Sequence, residues 1–202
     1  MIDRRAVALA GHTGDVATAE AGLAAADGDV RATALGALQR LGALADDRLR
    51  AAFGDPDPTV RRRAVTIAAR HVDIDLLGPL RDSDASVVEV AAWASGEHER
   101  VSDDELATLV DLAGGAADPL VREAAVAALG AIGDDRGLDA ILAATGDRPA
   151  IRRRAVLALA PFVAPDHDRA ADVAGALARA TSDHDWQVRQ AAEDISGQSG
   201  NL

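Results

Sequence analysis

The sequence predicts an all-α protein of about six helical pairs behind an N-terminal half-repeat, and three observations carry that expectation. Its 202 residues include 48 alanines but only two Phe, two Trp and no tyrosine, a composition that lets backbones pack closely and favours helix over sheet. A pattern of Asp, two residues, Val or Ile, then an alanine-rich run occurs five times, with a sixth near-copy in which the Asp sits one place earlier, at Asp147. The anchors Val30, Val60, Val87, Val121, Ile151 and Val188 are 30, 27, 34, 30 and 37 residues apart, so a constant core is joined by loops of variable length.

Taken in chain order, "IDRRAVALA" from Ile2 echoes "IRRRAVLAL" from Ile151 and reads as a lone second helix that caps the array. Shorter apolar patterns over residues 15–25, 46–53, 73–80, 103–113, 135–144 and 168–181 supply the first helix of each pair. Gly and Asp clusters such as "DGD", "FGDPDP" and "GAADP" mark the joins. Each second helix starts at the template. Asp27, Asp57, Asp84, Asp118 and Asp185 stand three places before their anchors, where a carboxylate can accept from the free amides of a first turn. Pro58 and Pro119 follow such an Asp, where a missing amide costs little. The anchor and the residues four, five and eight further on form one apolar stripe, as in Val60, Ala64, Val65 and Ala68 or Val121, Ala125, Val126 and Leu129. Residues 1–196 read as a single repeat domain, and 197–202 as a frayed C-terminal tail with little to bury.

Charge and composition exclude several functions. The 26 Asp and seven Glu against 21 Arg and no Lys give a net charge of -12, which opposes capture of nucleic acid or anionic lipid. A chain without cysteine has no disulfide, thiolate metal site or cysteine nucleophile. No apolar run is long enough to span a membrane, and the first residues lack a convincing secretory leader, so a cytoplasmic location is expected.

At this level of detail the repeats resemble the HEAT family, and more narrowly its short PBS-lyase-type variety. The segment "DPLVREAAVAALGAIGD" over 118–134 carries the resemblance most fully. It implies a right-handed α-α superhelix, a HEAT-like solenoid whose inner surface is built from second helices. It also implies that the Arg after each anchor joins an inter-repeat ladder with the template Asp. The residues that fit are Asp27, Arg31, Asp57, Arg61, Asp118, Arg122, Arg152, Asp185 and Arg189, with Val88 in place of Arg in the third pair.

Proteins of this fold mostly bind partner proteins, so the expected function is that of a non-enzymatic adaptor or scaffold without cofactors, a monomer or weak homo-oligomer. The candidate partner surface lies two and three places beyond the anchors, at Arg62, Arg63, Glu89, Glu123, Arg153 and Arg154, with Trp93 six beyond its own. Arginine and tryptophan combine contact area with directed hydrogen bonds and dominate binding hot spots.

Enzymatic alternatives rest on less. His12, His71, His98, His167 and His184 are scattered, and "EHER" around His98 is one His-Glu element where the helical-repeat di-iron hydroxylases use several. The acid pairs Asp55 with Asp57, Asp82 with Asp84 and Asp183 with Asp185 lack the loop of a calcium hand. A DNA-glycosylase-like role would need a basic track, which Glu89 and Glu123 interrupt. A bilin lyase-like role in chromophore attachment is the leading alternative, because it needs a few arginines rather than distinctive catalytic groups.

Overall fold

A computed structural model describes residues 2–98 and 100–199. It contains thirteen α-helices and no strand among the described residues, arranged as stacked helical pairs. The chain divides into two compact units, Met1–Ala94 and Ser95–Leu202.

In the first unit α1 (Arg4–Thr13) stands alone, followed by the pairs α2 (Val16–Gly22) with α3 (Gly28–Arg40) and α4 (Asp46–Ala52) with α5 (Pro58–Ala68). The third pair is α6 (Leu77–Leu80) with α7 (Ala85–Gly96), the last two residues of which fall in the second unit. The helices α1, α3 and α5 pack side by side, and α2 and α4 lie against them.

The second unit holds α8 (Asp103–Gly115) with α9 (Pro119–Ile132), α10 (Leu138–Ala144) with α11 (Pro149–Ala158), and α12 (Ala170–Ala180) with α13 (Trp186–Ser199). Its second helices α9, α11 and α13 form one layer and its first helices α8, α10 and α12 the other.

Local chemistry sets the starts. The Oδ1 atoms of Asp27, Asp57, Asp84, Asp118 and Asp185 accept from the amides of Asp29, Thr59, Ser86, Leu120 and Gln187 at 2.8–2.9 Å. Asp3 and Asp15 cap α1 and α2 in the same way. Ser102 and Glu105 close a capping box on α8. Gly133 ends α9 at φ 68°, a left-handed turn that a side chain would disfavour.

The apolar stripes become the core, with Val60, Ala64, Val65 and Ala68, and Val121, Ala125, Val126 and Leu129, all buried. Small residues then set how close the second helices come. A Cβ placed on Gly11 would lie 2.9 Å from the Ala37 backbone, and one on Gly130 would lie 2.5 Å from the Ala158 Cβ. Such spacing brings helix backbones nearly into contact, which the alanine-rich composition permits.

Two segments differ from the sequence-based expectation. The first helix of the third pair, expected over 73–80, shrinks to the single turn Leu77–Leu80. Pro79 has no amide to bond back, and Ile74 and Leu76 bury themselves from the preceding turn instead. The tail expected from Gly197 is helical as far as Ser199, and 200–202 lie outside the described residues.

Candidate functional site

Two sets of arginines emerge from the second helices, and their surroundings separate them. The first set follows the anchors directly. Arg31 Nε and Nη2 donate to both carboxylate oxygens of Asp55 at 2.8 and 2.7 Å. Arg61 grips Asp82 at 2.7 and 2.8 Å, Arg122 grips Asp147 at 2.8 and 3.2 Å, and Arg152 grips Asp183 at 2.8 and 2.7 Å. Each Nη1 turns back to the loop that leads into its own helix: Arg31 to the Ala25 and Ala26 carbonyls, Arg61 to Asp55, Arg122 to Ala116 and Arg152 to Asp147. Among the described residues Arg189 keeps only this backward contact, to the carbonyls of Asp183 and His184.

These bonds correct the expected ladder in one respect. The acids that receive the arginines are Asp55, Asp82, Asp147 and Asp183 rather than Asp27, Asp57, Asp118 and Asp185. The physical reason is that the template carboxylates are already occupied by the amides of their own first turns. In "DPD", "DSD" and "DHD" the first Asp therefore takes the arginine of the preceding pair and the second caps the helix. The same first Asp also accepts the amide of the second, at 2.8 Å in each of the three. The displaced Asp147 of the sixth copy is likewise explained: it serves as the arginine's acceptor, and Arg148 stands at the cap position with no side-chain cap bond. Hydrogen bonding to arginine holds all four acceptors below the usual carboxylate range, against burial that pushes them up.

The second set contains the sequence-predicted partner residues. In the first unit Arg62 is exposed and Arg63 and Glu89 are half-buried, and none of these three side chains meets an ion-pair or hydrogen-bond partner among the described residues. Trp93 is 45 % exposed. In the second unit Arg153 is exposed and equally uncommitted, whereas Arg154 lies 3.7 Å from Glu123.

Sequence reasoning missed the neighbours that complete these surfaces. Arg62 and Arg63 line a groove of about 750 Å³ in the first unit together with Arg4, His12, Asp29 and Arg40. In the second unit Arg153 and Trp186, which is 64 % exposed, border a recess of about 130 Å³ with Leu157 and Asp194. No group of three or more His, Asp or Glu side chains could hold a metal ion among the described residues, and no described helix is long and apolar enough to cross a membrane.

Comparison with known proteins agrees with the architecture. A family model for HEAT repeats matches residues 74–160. No curated protein matches the chain. Among solved structures, an engineered protein superposes with a TM-score of 0.60 at 18% identity, covering 96% of this chain and 60% of that one. A designed armadillo repeat protein in complex with the peptide (KR)4 gives 0.52 at 16% identity, covering 96% and 85%. Likeness at such low identity speaks to fold alone, and with the repeated helical pairs it shows that the chain has a helical-repeat fold of the HEAT and armadillo type.

Proposed function

We propose that this protein is a non-enzymatic interaction module, an adaptor or regulatory scaffold that docks a partner protein or peptide across the exposed face of its second helices. The observation that carries the reading is the division between the arginines. Those next to the anchors are tied to carboxylates or loop carbonyls, whereas Arg62, Arg63 and Arg153, one and two places further on, stay uncommitted among the described residues; Trp186 borders the recess of Arg153, and Trp93 is exposed in the first unit. Arginine and tryptophan free at a surface are the groups that anchor protein interfaces.

Affinity capture followed by mass spectrometry tests this role. Charge reversal at Arg62 and at Arg153 should weaken recovery of the same partner. Undiminished recovery by both variants overturns the assignment of this face.

A second reading, chromophore handling in the manner of the bilin lyases, is supported by the groove beside Arg62, whose arginines suit the carboxylates of an acidic tetrapyrrole. Bilin titration without an absorbance change would remove it. A DNA-glycosylase-like role gains nothing, since Glu89 and Glu123 carry the wrong sign for a phosphate track.

A further inference from the structure

We infer that the groove of the first unit is a receptor for an acidic segment of the partner, a run of Asp and Glu side chains in extended chain, held by Arg40, Arg62 and Arg63. The inference deepens the docking role proposed above and rests on it. The three guanidinium groups come from two neighbouring helices, Arg40 from the end of α3 and Arg62 and Arg63 from α5. None has an ion-pair or hydrogen-bond partner among the described residues. One carboxylate, Asp29, lines the same groove, and it lies 3.8 Å from Arg4, which lines it too. In a chain of net charge -12, this concentration of unneutralised positive charge is local. A cleft lined by one sign focuses its field on the opposite one.

Two glycines shape the cations into a site. A Cβ on Gly36 of α3 would stand 2.3 Å from Arg63 Nη2, and one on Gly11 of α1 would stand 2.8 Å from Arg40 Nη1. The Arg63 guanidinium therefore lies along α3 and that of Arg40 along α1, in space that a side chain would fill. Groups held in this way lose less rotamer freedom when they bind than freely extended arginines do. Apart from Arg4, His12 and Asp29, the remaining lining is small and uncharged, Ala32, Gly36 and Ala37 among it, and the volume of about 750 Å³ accommodates a few residues of extended chain. A guanidinium meets a carboxylate through two parallel hydrogen bonds, which gives direction as well as charge.

An acidic peptide can confine its charge to the groove. Nucleic acid cannot, because its regularly spaced phosphates would continue onto a surface of the same sign.

Fluorescence anisotropy with the full chain and a labelled (Asp-Glu)4 peptide tests the assignment. The peptide should bind, more weakly as salt rises, whereas labelled (Lys-Arg)4 should not. Arg40→Ala and Arg62→Ala should each raise Kd about tenfold, the equivalent of about 1.4 kcal/mol. Arg179→Ala, an exposed position of the other unit outside the docking surface, should leave Kd unchanged. Gly36→Ala keeps every charge and shifts only the end of Arg63, and should raise Kd about threefold. Thermal unfolding confirms that each variant is folded. No binding, equal binding by the Arg62 variant, or tighter binding of a single-stranded oligonucleotide overturns the inference. Partner capture that survives Arg62→Glu and fails with Arg153→Glu would leave the docking role standing and reject this groove as its acidic receptor.

Discussion

Arg61 clasps both oxygens of Asp82, 21 residues ahead in the chain, and with its remaining nitrogen holds the carbonyl of Asp55 behind it at 2.9 Å. Asp55 is itself the acceptor of Arg31, so one continuous network links the loops before α5 and α7 to the loop before α3. A second network of the same form runs from Arg122 through Asp147 and Arg152 to Asp183 and Arg189.

Loss of Arg61 should accordingly be costly for stability. Both side chains are largely shielded, at 13% and 9% exposure, and removing the arginine strands Asp82 without its partner. Arg61→Ala should lower the free energy of unfolding by about 1–3 kcal/mol in urea titrations. Arg61→Lys should recover little of it, because an ammonium cannot make the paired contact and the backward bond together. An unchanged midpoint in Arg61→Ala would remove the network from the list of stabilising elements.

Acid should expose the same pairs. Arginine holds Asp55, Asp82, Asp147 and Asp183 below their ordinary values. A carboxylate with a depressed folded value contributes its full stability above its unfolded value, near pH 4, and loses it as pH falls through the folded value. Thermal midpoints should therefore drop steeply below about pH 4. Asp82→Asn should start from a lower midpoint at neutral pH and fall less on acidification. Parallel acid slopes for the two proteins would contradict the assignment.

Close helix contact makes a glycine essential where propensity says otherwise. In an open helix, Gly→Ala stabilises by about 1 kcal/mol. At Gly130 the new methyl would come 2.5 Å from the Ala158 Cβ and 2.6 Å from its Cα, so α9 and α11 would have to separate. Overpacking of this kind costs about 1–3 kcal/mol and outweighs the propensity gain. Gly130→Ala should be destabilised in denaturant titrations. Gly175→Ala, with only the tip of Arg179 at 3.5 Å, should be neutral or stabilised.

The helix starts and the core were legible because their determinants are local. Asp57 caps α5 from three places before Val60, and both signals lie within a few residues of one another. The collapse of α6 also had a local sign in Gly78 and Pro79, but the apolar pattern over 73–80 concealed it. The pairing of Arg31 with Asp55 had no such sign. Its partners are separated by 24 residues, Arg152 and Asp183 by 31, and choosing the first or second Asp of each pair requires the register between repeats. The arginine groove was hidden for the same reason. Arg40 lies outside the repeated columns, and only the packing of α3 between α1 and α5 brings it into one groove with Arg62 and Arg63.

The two tryptophans distinguish a docking surface from a filled gap between helices. Trp93 and Trp186 are 45% and 64% exposed. In the folded protein their emission should already resemble that of water-exposed indole, and acrylamide should quench it nearly as well as in urea. Truncating a fully buried aromatic costs about 3–5 kcal/mol, whereas substitutions at an exposed position stay within about 0.5 kcal/mol. Trp93→Ala should therefore unfold at close to the parent midpoint, and binding of a partner to this face should shift the Trp93 emission to shorter wavelength and protect it from quencher. A large loss of stability on truncation, with native emission already blue-shifted, would instead make Trp93 a packing residue and remove it from the docking surface.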